Sequence, residues 1–106
     1  MSTTTATVTG TGVSEPVVLN HRSPNFSVGI GCRITATATY TVEHTFADPF
    51  SPTFNPSSVT WYPNSGLTSK TDNADGNYAF PARAVRLNVA ASTGSVVMEI
   101  IQPAGM

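Results

Sequence analysis

Arg33-Ile34-Thr35-Ala36-Thr37-Ala38-Thr39-Tyr40-Thr41-Val42-Glu43-His44-Thr45-Phe46 alternates along its whole length. Ile34, Ala36, Ala38, Tyr40, Val42, His44 and Phe46 fall on one side, and Arg33, four threonines, Glu43 and Thr45 on the other. A period of two is the signature of an extended strand with one face buried. A slip of one residue would carry a row of threonines into the core, so the register is strongly specified. The stretch is expected to form one long strand with Phe46 in the core.

Working outward, residues 82–89 place Val85, Leu87 and Val89 on one face and Arg86 and Asn88 on the other, and residues 91–95 supply turn chemistry. Residues 96–102 then return, which predicts a β-hairpin. Val96, Met98 and Ile100 share one face of that last strand, and Val97 and Ile101 occupy the other. A strand apolar on both faces is either central in its sheet or lies at a subunit contact, and Val97 and Ile101 are therefore candidate interface residues.

Three shorter strands are expected in residues 3–9, 13–19 and 26–32, the last with Gly29 and Gly31 as bulge or close-approach positions. Asp48-Pro49-Phe50-Ser51-Pro52-Thr53-Phe54-Asn55-Pro56 excludes regular structure, because each proline removes a donor and restricts its predecessor. Residues 59–62 predict a brief strand, and residues 64–77 a polar, glycine-punctuated loop. No segment has a helical period. The expectation is an all-β domain of about seven or eight antiparallel strands, a β-sandwich or jelly roll, with the jelly roll preferred. Its 106 residues support one core, assigned to residues 12–106. Residues 1–11, rich in Ser and Thr, are read as a flexible or strand-exchanging N-terminal arm.

Charged residues make up only 10% of the chain, against roughly 25% in ordinary soluble domains. The net charge is −1, too balanced to attract nucleic acid. Ser and Thr, about a quarter of the residues, supply the polarity instead. A neutral surface of this kind lacks the charge that keeps a free monomer soluble, which suggests cover by other subunits in a homo-oligomer, with a trimer preferred. Residues 1–10 contain neither a basic nor an apolar leader region, and no run approaches the ~18 apolar residues of a membrane span. Synthesis in a cytoplasm and no membrane partner are expected.

Catalytic and metal chemistry finds little to build on. Cys32 is the single cysteine, and its apolar setting marks a buried small hydrophobe. His44 belongs to the inward face of the long strand and His21 to a loop, and neither has a ligand at metal-binding spacing. Asp72-Asn73-Ala74-Asp75-Gly76-Asn77 resembles a calcium loop, but Ala74 interrupts its alternation of oxygen ligands and no Glu stands at the twelfth position. An Asx-type turn is the better reading. No strained nucleophile turn and no paired carboxylates occur. No cofactor is implied, and the chain is read as not an enzyme. Asn25-Phe26-Ser27 matches a glycosylation acceptor, which carries little meaning without a secretory leader.

Phe46, Phe50, Phe54, Trp61, Tyr62, Tyr78 and Phe80 crowd residues 46–80. Trp61 and Phe46 are expected in the core. Phe50 and Phe54, on a proline-rich loop that cannot join a sheet, are either lids on the core or interface anchors. Trp61 and Tyr62 together are a candidate stacking platform for a glycan.

Asn73-Ala74-Asp75-Gly76-Asn77-Tyr78-Ala79-Phe80-Pro81-Ala82-Arg83-Ala84-Val85-Arg86-Leu87-Asn88-Val89, with the Thr93-Gly94-Ser95 turn, residues 96–102 and Tyr40-Thr41-Val42-Glu43-His44-Thr45-Phe46, resembles small structural proteins of tailed bacteriophages. The likeness covers about two-thirds of the chain and is one of phrase, without a mechanistic motif. It implies a virion component: a capsid decoration (cement) protein contacting the major capsid protein or other virion proteins. The alternative is a tail, collar or fibre-associated β-module, with a glycan as its ligand.

Overall fold

Alternating apolar and hydroxyl side chains produce nine strands. They are β1 (Ser2–Thr9), β2 (Gly12–Val13), β3 (Val17–Val18), β4 (Val28–Thr35), β5 (Ala38–Thr45), β6 (Tyr62–Pro63), β7 (Ala74–Tyr78), β8 (Ala84–Ser92) and β9 (Ser95–Gln102). The computed structural model describes residues 2–19, 27–78 and 82–102. His21, Asn25, Phe26 and Phe80, singled out above, lie outside the described residues.

The strands form two antiparallel sheets, ordered β1-β9-β4-β7 and β2-β8-β5-β6, with β3 also on β8. Both orders follow from four long passes of the chain, each folded once so that its two halves enter different sheets. In space the first pass (β1, β2, β3) lies beside the fourth (β8, β9), then the second (β4, β5), then the third (β6, β7). Counting β2 and β3 as one strand interrupted at Pro16, this is an eight-stranded jelly roll.

The stretch 33–46 is therefore not one strand. It breaks at Ala36, whose φ is 62°, and continues as β5 in the opposite sheet. Its phase survives the break: Val28, Ile30 and Cys32 of β4 and Ala38, Tyr40, Val42 and His44 of β5 are all buried. The expected hairpin also fails, because β8 pairs with β5 while β9 pairs with β1 and β4. Residues 92–95 are a corner between sheets. Thr35 opposes Ser95 before the fold and Ala38 opposes Ser92 after it, so a two-stranded ribbon turns the corner in unbroken register. An irregularity between Thr39 and Tyr40 follows, where Tyr40 opposes Val89 rather than Ala90.

Hydrogen bonds tie the corner together. The Gly10 N–H donates to the Gly94 carbonyl (2.9 Å) and the Thr93 N–H to the Thr37 carbonyl (2.8 Å). The Ser95 N–H donates to Thr35 Oγ1 (3.0 Å). Gly94 is required by close approach, since a Cβ there would stand 2.3 Å from the Thr35 carbonyl oxygen.

The core fills the space between the sheets with Val28, Ile30, Tyr40, Val42, Leu67, Tyr78, Val85, Leu87, Val89, Val96, Met98 and Ile100. β9 is central, between β1 and β4, with Val96, Met98 and Ile100 in the core and Val97 and Ile101 on the outer face. Residues 64–77 are more ordered than a polar loop. Leu67 is fully buried, Tyr40 and Lys70 exchange both backbone hydrogen bonds (3.0 and 2.8 Å), and β7 lies within the stretch. Gly29 and Gly31 are neither bulged nor crowded: the β4–β9 register runs straight through them, and nothing lies within 4 Å of a Cβ built on either. The expected N-terminal arm is largely β1, paired with β9 along all eight residues.

Candidate functional site

The folded passes give the sandwich two unlike ends. One is the corner, made of Gly10, Thr11, Ala36, Thr37, Thr93 and Gly94. At the other, the strands stop at Thr45, Tyr78 and Gln102 and start at Val28 and Ala84. There His44 Nδ1 lies 2.9 Å from the Tyr78 hydroxyl, and Gln102 Nε2 donates to the Val18 carbonyl (3.3 Å). These contacts join β5 to β7 and β9 to β3, closing one sheet upon the other.

Most of the large exposed hydrophobic side chains belong to this end. Ile101 is 44% exposed, Tyr62 47%, Phe46 50% and Phe50, in the connection leaving it, 76%. Phe46 was expected in the core, but β5 ends at Thr45. One residue beyond the sheet, the alternation no longer dictates which way a side chain points. Its ring meets His44 edge-on at 5.5 Å and lies 5.6 Å from Tyr62. Tyr62 stacks on His44 at 5.9 Å, and Tyr78 meets His44 edge-on at 4.9 Å. His44 thus sits under an aromatic lid, and its burial lowers its pKa below the usual histidine value.

Residues 46–61 fold back over the outer face of the β2-β8-β5-β6 sheet. Trp61 anchors them, though not in the core as expected: it is half-buried, its ring lies 4.3 Å from the Arg86 guanidinium, and its indole N–H donates to the Pro56 carbonyl (2.9 Å). Arg86 in turn donates to Glu43 Oε1 at 2.7 Å, in an ion pair whose side chains are each only 16% exposed. Thr45 Oγ1 donates to the Thr60 carbonyl (2.8 Å). Phe54 lies half-buried in this loop while Phe50 projects, so the two candidate anchors part company.

Trp61 and Tyr62 do not form a joint platform. Neighbours on an extended chain point to opposite sides, and here Trp61 faces Arg86 on the outside of the sheet while Tyr62 faces His44. Val97 and Ile101 do share a surface, the outer face of the β1-β9-β4-β7 sheet, with Glu99 between them in an ion pair with Arg33. Beside that pair a shallow depression of about 320 Å³ is lined by Gly31, Asn73, Asp75 and Glu99.

Cys32 and Tyr78 are buried. Burial pushes the Cys32 thiol up to about 12, far from the thiolate that nucleophilic chemistry needs. Burial likewise pushes Tyr78 to about 12. Asn73 Oδ1 accepts the Ile34 N–H (2.9 Å) and the Asp72 carbonyl accepts the Tyr40 hydroxyl (2.7 Å), so Asp72 and Asn73 tie the chain to β5 and β4, and residues 74–77 belong to β7 where an Asx-type turn was expected. Among the described residues no three His, Cys, Asp or Glu side chains converge as a metal site would require. The sequence did not disclose the Glu43–Arg86–Trp61 strap, because its members are far apart in the chain and read individually as polar-face or core residues.

No protein-family model, curated protein or solved structure matches the chain.

Proposed function

We propose that this chain is a bacteriophage virion structural protein, a capsid decoration protein that stabilises the head through protein–protein contact. The observation carrying this reading is the set of exposed large hydrophobic side chains at one end of the domain: Phe46, Tyr62 and Ile101, with Phe50 in the connection leaving it. Exposed aromatic side chains are the usual anchors of interfaces. Each Å² of apolar surface they bury on docking stabilises by roughly 25 cal/mol. The likeness to phage structural proteins supplies the partner, the major capsid protein or a neighbouring head protein. The function is burial of surface, with Phe50 as the principal anchor.

Copy number on purified particles tests the reading. A decoration protein follows capsid symmetry and is expected in hundreds of copies by quantitative mass spectrometry. A few copies to tens would instead identify a tail or collar module and overturn the capsid assignment. Phe50→Ser should leave the melting temperature unchanged and reduce occupancy on stripped capsids; full occupancy would remove Phe50 from the contact.

A further inference from the structure

Four strand edges bound the two sheets, and three carry features that discourage pairing with another chain. The β2–β3 edge is interrupted by Glu15 and Pro16, β6 is two residues long and ends in Pro63, and β7 is five residues with Asp75 on it. Charges, prolines and short strands are the devices by which proteins protect an edge. β1 has none of them. Its eight residues, Ser-Thr-Thr-Thr-Ala-Thr-Val-Thr, contain no proline, glycine or charge, and its register with β9 runs without a bulge from Ser2 to Thr9. Among the described residues no strand pairs with its other side.

We propose that β1 is a self-pairing edge through which two copies of this chain form a two-fold dimer, joining their β1-β9-β4-β7 sheets into one continuous sheet. The occupant follows from the strand itself. Antiparallel pairing about a two-fold axis sets residues of equal facing opposite one another, and β1 is uncharged along its whole length. With the axis at Ala6, outward-facing Thr5 meets outward-facing Thr7 of the second copy, Ala6 meets Ala6, and inward-facing Thr4 meets inward-facing Val8. Threonine pairs across strands are favourable, and the absence of charge removes the like-charge repulsion that normally opposes self-association. A basic or acidic partner strand would find nothing complementary on this edge. A single edge offers less than the ~800 Å² per partner of a standard interface, so the dimer is weak and dependent on concentration. The pairing is independent of whether the chain decorates a capsid.

Sedimentation velocity on the full chain across a wide concentration range tests it, with Thr5→Lys and Thr5→Glu as variants at the centre of the edge. Thr5 is exposed but lies opposite Glu99, so both variants should keep the wild-type circular dichroism spectrum at dilution, with Thr5→Glu melting slightly lower than Thr5→Lys. Wild type should move from monomer to dimer as concentration rises, each variant alone should remain monomeric, and an equimolar mixture of the two should dimerise again. A wild type that stays monomeric, a trimer, dimers that persist in Thr5→Lys, or a mixture that fails to recover would each overturn the proposal.

Discussion

The two ends of the sandwich solve opposite problems with different residues. At the corner the chain passes between sheets through small and hydroxyl residues, and its order comes from backbone contacts and hydrogen bonds such as Thr93 N–H to Thr37 O (2.8 Å). At the open end the strands simply stop, and large rings around His44 cover the gap between the sheets while leaving apolar surface outside. At Gly94 the corner has no room for an added atom. The open end has spare surface, and that is where a partner can gain most.

The sharpest way to break this contrast is a methyl group. Gly94→Ala would press a Cβ to 2.3 Å from the Thr35 carbonyl oxygen, which is backbone and cannot rotate away. Such overpacking is expected to cost about 3 kcal/mol, measured as a lowered urea midpoint. The same change at Gly31, with open space around its Cβ position, should stay within about 0.5 kcal/mol of wild type.

The strap beside the open end gives the next largest effect. Arg86→Leu strips Glu43 of its cationic partner, leaving only the Asn88 amide (3.3 Å), in a setting where only 16% of each side chain is exposed, and it removes the cation beneath Trp61. A loss of about 2 kcal/mol is expected, with protease cleavage appearing within residues 46–61. Arg33→Leu breaks the ion pair with Glu99, whose side chains are 56% and 47% exposed, and solvent screening should hold its effect below about 0.5 kcal/mol.

These differences also mark what could be read in advance. Alternation in residues 33–46 and 82–89 disclosed strands and their inward faces, because burial on one side leaves a period of two whichever sheet a strand enters. For the same reason it could not disclose the corners: Thr35-Ala36-Thr37 keeps the phase, and Thr93-Gly94 carries the same residues a hairpin would use. Phe46 looked like core because it continues the alternation of β5, although pairing ends one residue earlier. Of the candidate site, the surface shared by Val97 and Ile101 was accessible from local pattern, whereas a proline-rich loop does not say whether Phe50 covers the core or projects. The His44–Tyr78 contact and the Glu43–Arg86–Trp61 strap depend on strand order, which local pattern does not encode.

His44 tests the open end by pH. Its folded pKa is lowered by burial, so below its unfolded value of about 6.5 the unfolded chain binds a proton that the folded chain resists. Stability contributed by the neutral ring is present above that value. It is lost as pH falls toward the lowered folded value, at up to about 1.4 kcal/mol per pH unit. Urea melts of wild type and His44→Gln between neutral and mildly acidic pH should show a shallower decline in the variant. Parallel declines would mean that the aromatic lid does not keep the proton out.

The smallest effect returns to the corner and has the opposite sign. Ala36 holds φ at 62°, a left-handed conformation that costs an L-residue roughly 1–2 kcal/mol and that glycine adopts freely. Ala36→Gly removes this strain but also raises the entropy of the unfolded chain, which returns about 0.4–1 kcal/mol. The net expectation is a gain of about 0.5 kcal/mol in urea melts, within the spread of those two terms. A clear loss would mean that the Ala36 methyl contributes packing at the corner. The corner would then be held by side-chain contact as the open end is, rather than by backbone geometry alone.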